Sequence, residues 1–428
     1  MGGGAGTQRE AIRRILAWRM LVRSRSVGLF AARGEFAVLT APVPVSVPKR
    51  LLSLDVLRGL TIAFMIMVNN NGGRGAWRQM NHAAWNGFTA TDLVFPTFLF
   101  IVGVTTVFAI QARLARGATR RQLAAHTVIR AAVLFAFGII VNGFPEYHLA
   151  HLRFYGVLQR IAICYLIVGL FYLWDQRVST KIALLCAALI GYWVLVRWVL
   201  VPGAGMPVRD IPFLDKDQNI VAWLDRHLMP GHLYEDWTTH NVRDPEGLLS
   251  DIPALGTTLL GLLTGLWLRA QRSVKAKALG LIAGAATCLA LGYLWSIWFP
   301  LNKKMWTSSF VLASAGWSLA ILALAYWICE YKVWCRKGWS KGLAWPWVVF
   351  GSNAIVAYMI SELLGSAIEM IHFTVDDDET NPVAYAQQHF FAHIPNAGWA
   401  AFAYSVSYAA LCFAPVWLLY RKKIFLKV

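Results

Sequence analysis

Ten apolar runs, each long enough to cross the roughly 30 Å hydrocarbon core of a bilayer, constrain this chain more than any other feature. They lie near Leu51–Asn69, Asp92–Ala112, His126–Gly143, Tyr155–Trp174, Lys181–Val201, Ile252–Leu268, Lys277–Trp298, Ser308–Cys329, Ala344–Ser366 and Gly398–Tyr420. A backbone in lipid must satisfy its own polar groups, so such runs fold as helices. The predicted class is an all-α integral membrane protein with about ten transmembrane helices. Of 428 residues, 57% are hydrophobic and only 14% charged, whereas a soluble domain carries about a quarter charged residues. The sixth run is short and glycine-rich, which suits a tilted or central helix. Its Pro253 falls in the first turn, where a helix tolerates proline.

The net charge of +18 would suit a nucleic-acid partner, but its distribution excludes one. Connections and tails place 27 Lys/Arg on one side of the bilayer and nine on the other. The positive-inside rule then puts both termini in the cytoplasm, which requires an even number of spans. The lipid bilayer is the partner this pattern names. Residues 1–48 are a separate stretch. TQREAIRRILAWRMLVRSR is arginine-rich, and Ala41–Pro48 reads as a linker. We expect a mobile basic leader ahead of one transmembrane domain over 49–428; a basic amphipathic surface helix is the other option.

Five of the six cysteines lie in or at the ends of spans, and Cys335 lies in an inner loop. No Cys-x-x-Cys occurs, so neither a disulfide nor a thiolate metal site is expected. His389 and His393 are four apart but lack the glutamate of a zinc-protease motif, and no metal is expected.

Polar residues gather in the outer connection between the first two runs. Asn69, Asn70, Asn71, His82, Trp85 and Asn86 lie there, and Asp92 opens the second run. Ionisable groups where a chain enters lipid are functional candidates. His82 can take up and return a proton near neutral pH, or attack an acyl donor; otherwise it is a solvated loop histidine. The asparagines can donate to a developing oxyanion, and Trp85 can stack on a sugar ring or anchor the loop. Asp55 and Arg58 share one helix face at the inner end of the first run. Arg58 there either binds a phosphate or simply pairs with Asp55. Arg160 sits inside YGVLQRIAICYLIVGL and needs an acid such as Asp92, or a bound anion. Asn241–Asp251, with Asp244 and Glu246, and Leu301–Phe310 bring charge to the same outer face as His82. Asn353, Ser361 and Glu362 in the ninth run suit bonding across helices. The long outer loops Pro202–Asp251 and Ala367–Ala397 are expected to act as lids or substrate walls.

The linked segments SLDVLRG, MVNN, NHAAWNG, TDLVFPTFLFIVG, NVRDPEGLLSD, NKKMWTSSFVL and GSNAIVAYMISELL resemble the heparan-α-glucosaminide N-acetyltransferase family, from Leu51 to the end of the chain. The resemblance implies a transmembrane acyltransferase-like fold. It also implies acetyl-CoA as cytosolic co-substrate and a glucosamine-like amino sugar or related glycan as acceptor on the far side. By position, His82 matches the family's catalytic histidine in its H-x-x-W-N-G setting. Asn69 matches the asparagine beside it, and Asp55 and Arg58 match its Asp-x-x-Arg. The Asn69–His82 connection is slightly longer than in the lysosomal enzyme, with Asn70 and Asn71 added, so which asparagine meets the acyl group stays open. Lacking the large N-terminal region of the lysosomal form, the chain is expected to be a compact bacterial relative in the inner (plasma) membrane.

The resulting expectation is an acetyl-CoA-dependent N- or O-acetyltransferase. His82 and Asn69 are its catalytic candidates, and Asn70 and Asn71 are candidates for acyl or oxyanion positioning. Arg58 and Arg160 would hold the donor. Trp85, Asn86, Asp92, Asp244 and Glu246 would meet the acceptor, and Asp55–Arg58 is also a structural pair. The alternative is a sugar or amino-sugar transporter without acyl transfer. A homodimer stands as one option for assembly. Orientation is directly testable. A cysteine placed at Gly75 or Asn381 should react with a membrane-impermeant thiol reagent in intact cells, and one at Gly117 or Gly338 should not. The reverse labelling pattern would invert the topology.

Overall fold

The computed structural model describes residues 51–234, 239, 241–336, 338–375 and 378–426; the basic leader expected over 1–48 lies outside them. Regular structure in the described chain is almost all helical. The helices are α1 (Leu52–Asn69), α2 (Ala90–Leu114), α3 (Arg120–Gly143), α4 (Val157–Trp174), α5 (Val178–Trp198), α6 (Ile220–Leu228), α7 (Asp251–Arg269), α8 (Val274–Trp295), α9 (Ser308–Tyr326), α10 (Gly338–Ser352), α11 (Ala354–Glu369), α12 (Pro382–Ala386) and α13 (Ala397–Arg421). One antiparallel hairpin, β1 (Phe373–Val375) with β2 (Asp378–Thr380), sits between α11 and α12.

Among the described residues, nine of these helices are long and apolar enough to cross a membrane: α1 to α5, α7, α8, α9 and α13. The chain is thus an all-α multi-pass membrane protein, as the apolar runs predict. Burial sorts the helices. About two thirds of α1, α2, α7 and α9 is buried inside the protein, against 22% of α3 and α13. The inner helices carry the polar side chains that matter below; the outer ones present apolar surface.

The ninth run departs from expectation. It is not one straight span over Ala344–Ser366 but two helices, α10 and α11, bent by 76°. Asn353 between them leaves helical geometry at φ −130°, ψ 43°. Its side chain is taken up by the C-terminal segment, donating to Ile424 O at 3.1 Å and accepting from Leu426 N at 3.0 Å. Before the bend, α10 lies directly on the first turns of α1. A Cβ at Gly59 would strike the Trp347 carbonyl, and one at Gly351 the Asp55 carbonyl. After the bend, α11 runs alongside α1 and reaches its end, where Asn69 Nδ2 donates to Glu362 Oε1 at 2.9 Å.

α7 packs centrally, as its glycines suggest. A Cβ at Gly103 of α2 would strike the Thr258 carbonyl, and one at Gly261 of α7 the Phe100 carbonyl. Small residues let the two backbones touch, which is how helices pack where no hydrophobic drive separates them from lipid. A second correction concerns the cysteines. Cys329 and Cys335 are joined by a disulfide, with Cα atoms 4.9 Å apart. A π-helical turn at Trp327–Tyr331 followed by a 3₁₀ turn at Trp334–Arg336 folds the chain back and brings them together.

Candidate active site

The site is built on the N-terminus of α2. Thr89 is its N-cap, and Asp92 returns the cap from the third position. Thr89 N and Ala83 N donate to Asp92 Oδ2, each at 3.1 Å. Thr89 Oγ1 lies 2.9 Å from the same oxygen and 2.8 Å from Asn81 O, with one hydrogen to share between them. Two backbone N–H donors on one oxygen favour the ionised carboxylate. The other oxygen, Oδ1, lies 2.8 Å from His82 Nδ1. Against an ionised Asp92, Nδ1 carries the proton and donates, and Nε2 is left with its lone pair. The Asp92 side chain is only 1% exposed, whereas that of His82 is 45% exposed. The orienting acid is sealed and the base faces open space.

A second loop closes over the ring. Leu301–Thr307 is a tight turn in which Asn302 Oδ1 accepts Met305 N at 2.9 Å and Thr307 Oγ1 accepts Asn302 N at 3.1 Å. Trp306, fully buried, takes a left-handed φ of 52° there. The turn is stitched to the His82 loop at three points. Gly87 N donates to Leu301 O at 2.8 Å, Asn302 Nδ2 to Asn86 Oδ1 at 3.0 Å, and Lys304 Nζ to Ala84 O at 3.2 Å. This places Lys303 Nζ 3.3 Å from both ring nitrogens of His82. Burial, and then the Lys303 charge, draw His82 below the ordinary histidine value, against the opposing pull of Asp92 and Glu246. Both effects favour the neutral imidazole, the form that can accept a proton.

His82 and Asp92 line a cavity of about 560 Å³ together with Asn69, Glu362, Asp244 and Glu246. Arg153 forms part of its wall and is held by both loop acids, donating to Asp244 Oδ2 at 2.8 Å and Glu246 Oε2 at 2.6 Å. Burial alone would push Glu246 up; Arg153, Arg160 and Lys303 outweigh it and hold that carboxyl below its ordinary value. The loop 202–251 thus contributes a cavity wall, as expected of it. A second cavity of about 500 Å³ lies toward the other end of α1, lined by Asp55, Arg58, Arg113, His126 and Arg130. Met65, Val157 and Tyr358 line both cavities.

Several expected site residues fall elsewhere. Arg160 is fully buried and pairs with Asp251, Nε to Oδ1 2.8 Å, rather than with Asp92. It also donates to Gly247 O at 3.0 Å and to Ser250 Oγ, and its guanidinium lies 4.9 Å from the Trp306 ring centre. It lines neither of these cavities, so its expected contact with the donor is not carried forward. Trp85 is turned away, donating Nε1–H to Leu214 O at 2.8 Å, and Asn86 holds Asn302. Asn70 bonds back to Ile66 O at 3.1 Å as the C-cap of α1. Asn71 ties the loop through Met80 O at 3.0 Å and Asn81 Oδ1 at 2.8 Å. Of the three asparagines, Asn69 alone lines the cavity. Arg58 stays with Asp55 at 3.6 Å and donates to Gly351 O at 3.2 Å, at the wall of the second cavity. Sequence reasoning gave no specific role to Lys303 or Arg153 and treated Glu362 as a cross-helix bond. The Leu301–Phe310 cluster was the available signal for Lys303; for Arg153 there was only its charge beside a span.

Comparison with known proteins agrees with the resemblance. Residues 50–215 match the family model described as heparan-alpha-glucosaminide N-acetyltransferase, catalytic. The chain is 28% identical over 434 residues, 90% of its length, to the heparan-alpha-glucosaminide N-acetyltransferase of Homo sapiens. It is 27% identical over 429 residues, 89% of its length, to that of Mus musculus. Both matches take in 60% of the relative, so the chain spans well under the full length of the curated relatives it matches.

The Asp92–His82 geometry predicts a titration. Diethyl pyrocarbonate modifies neutral imidazole, and His82→Ala supplies the blank. His82 should react with a midpoint below the ordinary histidine range. Asp92→Asn removes the charge that favours imidazolium, so its midpoint should move to lower pH, by about one unit or more for a contact this close. An unmoved midpoint would mean that the two side chains do not pair in the membrane.

Proposed function

We propose, taking the relationship to the heparan-alpha-glucosaminide N-acetyltransferases as premise, that this chain is a transmembrane acetyltransferase. It moves acetyl from cytosolic acetyl-CoA to the amine of a glucosamine-like sugar, or a related glycan, at the opposite face. The observation that carries this reading is the pair of cavities at opposite ends of α1, which share Met65, Val157 and Tyr358. One end has an excess of cations, with Arg58, Arg113 and Arg130 set against Asp55 alone; at the other, Arg153, Arg243, Lys303 and Lys304 are matched by Asp92, Asp244, Glu246 and Glu362 around a general base.

The basic end suits a polyphosphate donor. Arg58, Arg113 and Arg130 line it, and Arg130 Nε is buried with no hydrogen-bond partner among the described residues. At the other end, His82 Nε2 takes the acceptor's proton while Asp92 holds the ring through Nδ1. The histidine can later return that proton to the departing thiolate. Asn69 stands at the end of α1 with its amide on Glu362, where it can bind the acyl group as it crosses between the cavities. The bent α10–α11 pair is the feature that favours the transporter reading, since broken helices often line transport sites.

Purified protein supplied with acetyl-CoA and glucosamine separates the two: thiol release marks acyl transfer, and glucosamine uptake without it marks transport. Under the acetyltransferase reading, His82→Ala should lose about two orders of magnitude or more in rate, the scale of general acid–base catalysis. Its acetyl-CoA binding should persist, because the end with excess positive charge, lined by Arg58, Arg113 and Arg130, lies away from His82. Near-wild-type turnover would make His82 an ordinary loop residue. Arg58→Gln should weaken acetyl-CoA more than acetyl-pantetheine, which lacks the nucleotide; equal loss for both would assign Arg58 to its pairing with Asp55.

A further inference from the structure

We propose that Lys303 is a second catalytic group of this site, its ammonium donating to the thioester carbonyl oxygen as that oxygen gains charge. The proposal rests on the acetyltransferase reading and names a residue that reading does not require. Its ground is geometric. Nζ lies 3.3 Å from Nδ1 and 3.3 Å from Nε2 of His82. A point in the ring plane at that distance from both nitrogens would lie on the line of the C–H bond between them, well inside contact distance of its carbon. The ammonium therefore lies across the ring face and leaves the in-plane lone pair of Nε2 directed at the cavity. Base and cation then border the same space, the arrangement needed when a nucleophile is deprotonated beside an oxygen that is becoming negative.

The turn that carries Lys303 is built to hold it there. Trp306 is buried in a left-handed conformation and donates Nε1–H to Thr257 Oγ1 at 3.1 Å on α7. Such backbone strain persists only where its surroundings over-determine it. Three bonds fix the turn to the His82 loop, as described above. Among the described residues, no carboxylate lies within ion-pair distance of Lys303; burial draws it below the ordinary lysine value, while Glu246 and Asp92 favour its charged form from further away. A cation held against a neutral ring, with no carboxylate in contact, is suited to an anion that exists only during reaction.

The step balances. The acceptor nitrogen attacks the thioester carbon, forming C–N, and the C–S bond breaks. The nitrogen's proton passes to His82 Nε2 and then to the departing sulfur. Lys303 keeps its protons throughout, binding the oxygen more tightly in the tetrahedral state and loosening as the carbonyl re-forms.

The test is Lys303→Met in the full chain, with acetyl-CoA and glucosamine. Transfer should fall by about 10²–10³, the cost of removing one oxyanion donor, while acetyl-CoA binding is retained. The pH midpoint of His82 reactivity toward diethyl pyrocarbonate should rise, because a cation that disfavours imidazolium has gone. That direction is opposite to the one expected for Asp92→Asn and reports the ammonium beside the ring, while the fall in rate reports its action on the oxygen. Lys303→Arg should hold the midpoint at the wild-type value and Lys303→Gln should raise it, which keeps the test intact if the methionine variant fails to fold. A rate within tenfold of wild type, or an unmoved midpoint in the methionine and glutamine variants, overturns the proposal alone. Wild-type protein that releases no thiol overturns the acetyltransferase reading and this proposal with it.

Discussion

A carboxylate at the mouth of a membrane helix is costly unless its lone pairs are filled, and this end of the bundle is organised around filling those of Asp92. Two backbone amides donate to one oxygen, with the Thr89 hydroxyl beside it, and His82 meets the other. The same bonds cap α2, placing negative charge against the positive end of the helix dipole. The orientation of the imidazole is therefore inherited from a helix terminus rather than from a free loop. That helix is in turn pressed onto α7 through Gly103 and Gly261, so the dyad is referenced to the centre of the bundle.

Two arginines attach the long loop before α7 to this centre, by different means. Arg160 reaches Asp251 at the head of α7, the Gly247 carbonyl before it, and the face of Trp306 in the lysine-bearing turn. One buried cation thus fastens three segments. Breaking such a pair from one side typically costs about 3–5 kcal/mol, because a charge is left stranded. Arg153 works at the cavity wall, gathering Asp244 and Glu246. Acids that looked available to an acceptor are thereby spoken for in part, and their arrangement shapes the cavity before any ligand arrives.

These pairings mark the limit of what the sequence discloses. The spans were legible because hydropathy is a local property averaged over many residues. The bend at Asn353 was not, since the apolar character continues through it and its cause, the C-terminal segment, lies more than seventy positions away. Arg160 plainly required a partner, yet Asp92 and Asp251 both open helices at the same face, and only the packing chooses Asp251. The chemistry of His82 was legible, but Asp92 was placed among acceptor contacts. Thr89 and Asp92 stand at the N-cap and third positions of a capping box, so spacing alone could have revealed Asp92 as a capping and orienting group. Trp85 and Asn86 show the opposite error: their chemistry suits a sugar, but their side chains serve the loop.

A base works best when its basicity is matched to the proton it moves, and a single neighbour can rarely set both basicity and direction. Here the two are separated. Asp92 meets the imidazole in its plane, where a hydrogen bond is directional and fixes the ring and the tautomer. Lys303 meets it across the face, where the influence is Coulombic, falls off slowly with distance, and competes for neither lone pair. The carboxylate favours the imidazolium; the lysine and burial disfavour it, and together they prevail. Such a balance survives only if the cation cannot drift, which gives a physical reason for the three bonds between the two loops and for the strained backbone at Trp306. The rigidity of those loops is then part of the acid–base chemistry, because it sets the proton affinity of a group that neither loop could tune alone.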